Sequence, residues 1–157
     1  MTSYEKIWDV AEDNHGVITT AKARALGVGP AALVSMATNG KLVRLGYGVY
    51  KLEMHVPGPY DEYAQAVALV GETGFVRGAS SLMMRGLIPF DPSRFYLGVS
   101  RRFRRNLPEY YVVRVVDDPD VEMIEGIPVE RVASALRDAR ECGAADSDRL
   151  QEVEASL

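Results

Sequence analysis

Apolar residues recur along the chain first at helical spacing and then in strand-like alternation. Thr2-x-x-Glu5 resembles a capping box. Tyr4, Ile7, Val10 and Ala11 then fall on one helical face until Asn14-His15-Gly16, which predicts a first helix with a defined start and stop. Val17-Ile18 is a short extended piece. Thr19 or Thr20 caps a second helix through Leu26, and Gly27 ends it. Pro30 suits the first turn of a third helix, which runs to about Thr38 and closes at Asn39-Gly40. Two alternating runs, Lys41–Leu45 and Val49–Leu52, flank Gly46-Tyr47-Gly48 and predict a β-hairpin.

The pattern changes after Pro57-Gly58-Pro59. Asp61–Glu72 is amphipathic and predicts a helix, Phe75-Val76-Arg77 a short strand, and Ala79–Arg85 a further helix. Strand-like runs follow at Phe95–Ser100, Tyr110–Val116, Val121–Ile124 and Ile127–Val129, and closing helices at Arg131–Glu141 and Asp148–Ser156. The expected fold class is α+β: an N-terminal winged helix-turn-helix over 1–56, then a C-terminal α+β domain over 57–157. Proline fixes its own backbone, so Pro-Gly-Pro reads as a stiff turn at the junction.

Composition sharpens this division. The 157 residues carry a net charge of −4 and a single cysteine. Residues 1–56 hold six basic and five acidic side chains, a net of +1. Residues 57–157 hold twelve basic and seventeen acidic, a net of −5, and every lysine lies in the first part. One thiol, Cys142, cannot form an internal disulfide, which leads us to expect a reducing cytoplasmic setting. No apolar run approaches the roughly 18–20 residues that span a bilayer, and the amino end lacks a signal-peptide core, so neither membrane nor secretion is expected.

Three short helices and a hairpin form a DNA-binding unit or a protein-docking one. A helical wheel turns Leu33, Met36 and Ala37 of the third helix inward and Ala31, Ser35 and Thr38 outward, with Val34 and Asn39 at the margins. Ser35, Thr38 and Asn39 can hydrogen-bond to bases, but the outward face has no Arg, Lys or Gln, the usual base readers. Thr19, Thr20 and Lys22 at the start of the second helix suit a phosphate, as do Lys41, Arg44 and Tyr47 of the hairpin. Each of these charged groups is also what an ordinary solvated surface would carry.

The densest basic cluster is Arg101-Arg102-Phe103-Arg104-Arg105, between two expected strands. Arg101, Arg102, Arg104 and Arg105 contact nucleic-acid phosphates, dock an acidic partner, or balance Glu109, Asp117 and Asp118. These readings stay open, although surface ion pairs are worth only about 0–1 kcal/mol each.

Catalytic chemistry finds little footing. His15 and His55 stand apart, one cysteine makes no zinc constellation, and no glycine-lysine phosphate loop is present. Asp117-Asp118-Pro119-Asp120 reads as a β-turn or as a weak cation site. Met83-Met84 reads as core filling or a partner groove. No enzyme activity, cofactor or bound metal is expected.

Gly16-Val-Ile-Thr-Thr-Ala-Lys-Ala-Arg-Ala-Leu-Gly-Val28, followed by Gly40-Lys-Leu-Val-Arg-Leu-Gly-Tyr-Gly-Val-Tyr50, resembles the amino-terminal winged-helix domain of the AbiEi antitoxin family of bacterial type IV toxin–antitoxin systems. The resemblance continues in Gly74–Leu87 and in Gly126–Asp138, where Ser134-Ala135 stands in place of the family's Arg-Thr. It implies a transcriptional repressor that binds double-stranded DNA at repeats in its own promoter and counteracts a nucleotidyltransferase-type toxin. It also implies that the second module carries most of the antitoxin activity. A module that neutralises its toxin by direct binding, with little DNA affinity, is the alternative.

Overall fold

The computed structural model describes residues 1–101 and 105–157, and the chain forms two compact units, Met1–Leu69 and Val70–Leu157. Both mix helices with sheet, so the α+β class holds. The expected junction at Pro57-Gly58-Pro59 lies inside the first unit. There the chain turns, as expected, and continues into a helix of the same unit.

In the first unit, α1 (Ser3–Glu12) opens with a complete capping box. Glu5 N–H donates to Thr2 Oγ1 at 3.1 Å, and Thr2 N–H donates to Glu5 Oε2 at 3.0 Å. β1 (Val17–Thr19) leads into α2 (Thr20–Ala25), where Thr19, not Thr20, is the cap and accepts from Lys22 N–H at 3.1 Å. α3 (Pro30–Thr38) starts with proline in its first turn. It ends at Gly40, whose φ of +78° lets Gly40 N–H reach Ala37 O and Lys41 N–H reach Met36 O. A side chain at residue 40 would strain that left-handed stop.

The hairpin comprises β2 (Leu42–Gly46) and β3 (Val49–Leu52), so Gly46 belongs to the strand and the turn is Tyr47-Gly48. β1 joins it, pairing antiparallel with β3 in the order β1-β3-β2. Ile7, Ala11, Ile18, Ala23, Leu33, Leu42, Tyr50 and Leu52 pack into one core beneath these elements. Burying each large side chain contributes roughly 1.5–3 kcal/mol. α4 (Asp61–Val70), two residues shorter than expected, completes the unit with all but its last residue.

The second unit is a mixed five-stranded sheet, ordered β6-β5-β4-β8-β7. β4 (Phe75–Val76), α5 (Gly78–Met84), β5 (Phe95–Val99), β6 (Tyr111–Val115), β7 (Val121–Ile124), β8 (Ile127–Glu130), α6 (Val132–Cys142) and α7 (Ser147–Ala155) follow in chain order. β5 runs parallel to β6 and β4 parallel to β8, while the β4–β5 and β7–β8 pairs are antiparallel. Leu82, Met83, Tyr96, Ala135, Leu136, Leu150 and Val153 share its core, so Met83 is core filling.

Candidate nucleic-acid interface

The first unit presents two groups of candidate side chains. In the first, the start of α2 lies against the hairpin turn: Thr20 N–H donates to Gly48 O at 2.8 Å. A side chain on Gly48 would meet Thr20 Oγ1 at 3.2 Å, so glycine allows this close approach. Thr19, paired with Val49, and Thr20 are thereby set beside the hairpin turn, where Tyr47 is 74% exposed. Arg44 is exposed on β2, with its Nε–H donating to Gly46 O at 3.2 Å. Two donors at this helix start are already engaged, Thr20 N–H with Gly48 and Lys22 N–H with Thr19 Oγ1. What the group offers an anion is therefore the Lys22 ammonium and the Arg44 guanidinium more than free backbone.

The second group is the outer face and end of α3. Ala31, Ser35, Thr38 and Asn39 are exposed, Leu33 is buried, and Met36 and Ala37 are half-buried, as the helical wheel requires. Val34 turns fully outward at 55% exposure. Thr38 Oγ1 donates to Val34 O at 3.0 Å, which leaves the hydroxyl oxygen free to accept. Lys41 is exposed, but its ammonium lies 4.8 Å from the centre of the Tyr4 ring. Such a contact is worth about 0.5–1 kcal/mol at the surface. The face is polar at its end, apolar at its centre and carries no charge.

Arg101 and Arg105 are exposed residues of the second unit, on either side of the segment that contains Arg102, Phe103 and Arg104. Arg102 and Arg104 lie outside the described residues.

A buried charge arrangement in the second unit was not singled out from sequence. Arg77 is buried, its Nε–H donates to Leu97 O at 2.8 Å, and one Nη donates to Val112 O at 3.1 Å. The other Nη donates to both oxygens of Asp138, at 3.1 and 2.9 Å. Arg114 reaches the same carboxylate at 2.9 Å. One side chain thus binds β5, β6 and α6, which makes it a structural clamp. The available signal was an isolated arginine inside the apolar, small-residue run Phe75–Leu82. Close by, buried Glu130 accepts Gly78 N–H at 2.9 Å. Burial pushes its carboxyl above the usual range; the Gly78 bond opposes this, Asp138 adds to it, and Arg77 and Arg114 oppose it.

Asp120 is held by Arg131 at 3.2 Å and by Ser134 Oγ at 3.1 Å. Among the described residues no cluster of three or more His, Cys, Asp or Glu side chains is arranged to hold a metal ion. No helix among them is long and apolar enough to cross a membrane.

Three helices with a short turn between α2 and α3, backed by an antiparallel sheet, give the first unit the layout of a helix-turn-helix. Residues 5–52 match the model of a family described as a transcriptional regulator, the AbiEi antitoxin, which is the family that the sequence resembles. The matched segment runs from the first turn of α1 to the last residue of β3. No curated protein matches the chain.

Proposed function

We propose that this chain is an antitoxin-type transcriptional regulator whose first unit is a winged helix-turn-helix gripping double-stranded DNA. The family match over the lobe that carries α2, α3 and the hairpin is the observation that supports this most. Lys22, Lys41 and Arg44 neutralise phosphates, Thr19 and Thr20 set the start of α2 against the backbone, and Tyr47 reaches along it from the hairpin tip. Ser35, Thr38 and Asn39 face the groove as neutral hydrogen-bonding readers. Arg101, Arg102, Arg104 and Arg105, in the second unit, are further side chains that contact phosphate. The target is a set of repeats in the chain's own promoter, in a bacterial cytoplasm. The regulated operon encodes a nucleotidyltransferase-type toxin, which the second unit counteracts in type IV fashion.

Electrophoretic mobility shift with the upstream promoter and a random duplex of equal length, at rising salt, tests this. With about four to six phosphates neutralised by these seven basic side chains, the slope of log K against log salt is roughly −4 to −5. Promoter binding no tighter than random DNA, even at low salt, refutes the regulator.

A second reading has its own support in the uncharged outer face of α3. An affinity built on neutral contacts lacks the counterion release that drives most DNA binding. In that case the chain neutralises its toxin by direct protein contact. Co-purification with the neighbouring gene's product, together with absent promoter binding, would favour it.

A further inference from the structure

α1 carries two rows of side chains that the proposed DNA face does not use. Tyr4 and Trp8 are four residues apart, as are Glu5 and Asp9, so each pair stands one above the other on adjacent lines of the helix. Together with Met1 they line a groove of about 400 Å³ at the surface of the first unit. A volume of this order admits a long side chain with some of its backbone. The lining is of two kinds, aromatic rings and carboxylates. The Tyr4 and Trp8 rings are half-buried, 6.1 Å apart and tilted by 55°.

The acidic row does not serve the fold. Ile7 and Ala11 are the fully buried residues of α1, with Tyr4 and Trp8 flanking the same core. Two carboxylates four positions apart on a helix repel each other and weaken it. Glu5 Oε2 is engaged with Thr2 N–H, but Asp9 makes no hydrogen bond or ion pair among the described residues. The aromatic row already attracts positive charge: the Lys41 ammonium sits 4.8 Å from the centre of the Tyr4 ring, and Lys41 is not part of the groove lining.

Charge along the first unit divides in the same sense. Residues 1–13 carry one basic side chain (Lys6) and four acidic ones (Glu5, Asp9, Glu12 and Asp13), a net of −3. Residues 14–56 carry five basic side chains and one acidic, a net of +4. α1 is therefore the acidic pole of a lobe that is otherwise basic. Its carboxylates repel a phosphate backbone and attract a cation.

We propose that the α1 groove receives an arginine from a basic peptide segment of a partner protein. The flat guanidinium stacks on the Tyr4 and Trp8 rings while its N–H groups donate to the Asp9 and Glu5 carboxylates, and its apolar stem lies against Met1. A guanidinium can do both at once, because its face suits a ring and its edge suits a carboxylate. This surface and the proposed DNA face thus take partners of opposite charge.

Trp8 is the only tryptophan of the chain, so its emission reports on the groove. The test is a titration of the full chain at low salt with the capped peptide acetyl-Gly-Arg-Gly-Arg-Gly-amide. A saturable change in Trp8 emission is expected, and it should weaken as salt rises. The same peptide with citrulline in place of arginine keeps the shape without the charge, and should bind at least about tenfold more weakly. Asp9→Asn should raise Kd for the arginine peptide about three- to fivefold, as expected for one exposed ion pair. Its urea midpoint, measured first, establishes that it is folded; should it not fold, the comparison of the two peptides on the wild type decides. Equal responses to the two peptides, or no saturable change in the millimolar range, overturn the proposal. Trp8 emission that shifts with the concentration of the chain alone also overturns it, because a second copy then occupies the groove. No duplex is present, so the outcome is separate from that of the DNA-binding reading.

Discussion

Arg77 and Asp138, 61 positions apart in the chain, meet inside the second unit through one guanidinium nitrogen bonded to both carboxylate oxygens. Residue exposure is 2% for Arg77 and 4% for Asp138, so both charges have left water. Such a pair is retained only where further hydrogen bonds complete it, and here Leu97, Val112 and Arg114 do so. Removing one partner strands the other. Asp138→Ala should cost about 3–5 kcal/mol in urea unfolding. The double variant Arg77→Met/Asp138→Leu should cost much less than the sum of its single changes, because neither charge remains.

Gly78 connects this pair to α5. Its φ is +52°, and a Cβ there would collide with the Asp138 carboxylate. Gly78→Ala therefore combines backbone strain with displacement of the buried carboxylate. A loss of about 2–4 kcal/mol is expected, since strained backbone alone costs of order 1–3 kcal/mol. Gly86→Ala makes the comparison: that glycine also has positive φ, but nothing stands near its Cβ position. Its loss should be the smaller of the two by denaturation midpoint.

Glu130 supplies a pH dependence of the opposite kind to a salt-bridged carboxylate. Its folded-state proton is held more tightly than an unfolded glutamate's, mainly because burial penalises the charge. The folded chain therefore binds more protons than the unfolded chain just above the ordinary glutamate range, and stability falls as pH rises through that window. Glu130→Gln keeps an acceptor for Gly78 N–H without the charge. It should stabilise the second unit at pH 7, with no gain at pH 4, where both forms are uncharged. Thermal midpoints of both forms at the two pH values decide it.

The parts legible in the sequence were those whose causes are local. Thr2 and Glu5 cap α1, Pro30 starts α3 and Gly40 stops it, each through bonds spanning a few residues. The alternation that marks β2 and β3 likewise reflects one buried and one exposed face. The parallel pairing of Val76 with Val129 was not legible, because it joins segments some fifty residues apart and neither carries the other's signal. Pro57-Gly58-Pro59 was legible as a turn, which Gly58 N–H closes on Asp61 three positions on; that the first unit continues through most of α4 was not legible, because that boundary follows from long-range packing. Ser35 and Thr38 could be assigned to an outer surface from periodicity alone, whereas the placement of Lys41 over Tyr4 depends on tertiary packing.

That placement separates two lysines that look equivalent in the sequence. Lys22 is exposed at the start of α2, whereas Lys41 must give up or share its contact with the Tyr4 ring to reach a phosphate. If the first unit grips DNA through charge, Lys22→Ala should weaken binding to promoter and random duplex by the same factor. It should also make the salt slope shallower by about 0.9, the value for one phosphate contact. Lys41→Ala should shift the slope by less. Ser35→Ala and Asn39→Ala should leave the slope unchanged and narrow the gap between promoter and random DNA, since neutral readers discriminate without releasing counterions. Fluorescence anisotropy at four salt concentrations measures all of these together. A Lys22→Ala protein whose slope equals that of the wild type would place the phosphate contacts elsewhere and remove the start of α2 from the interface.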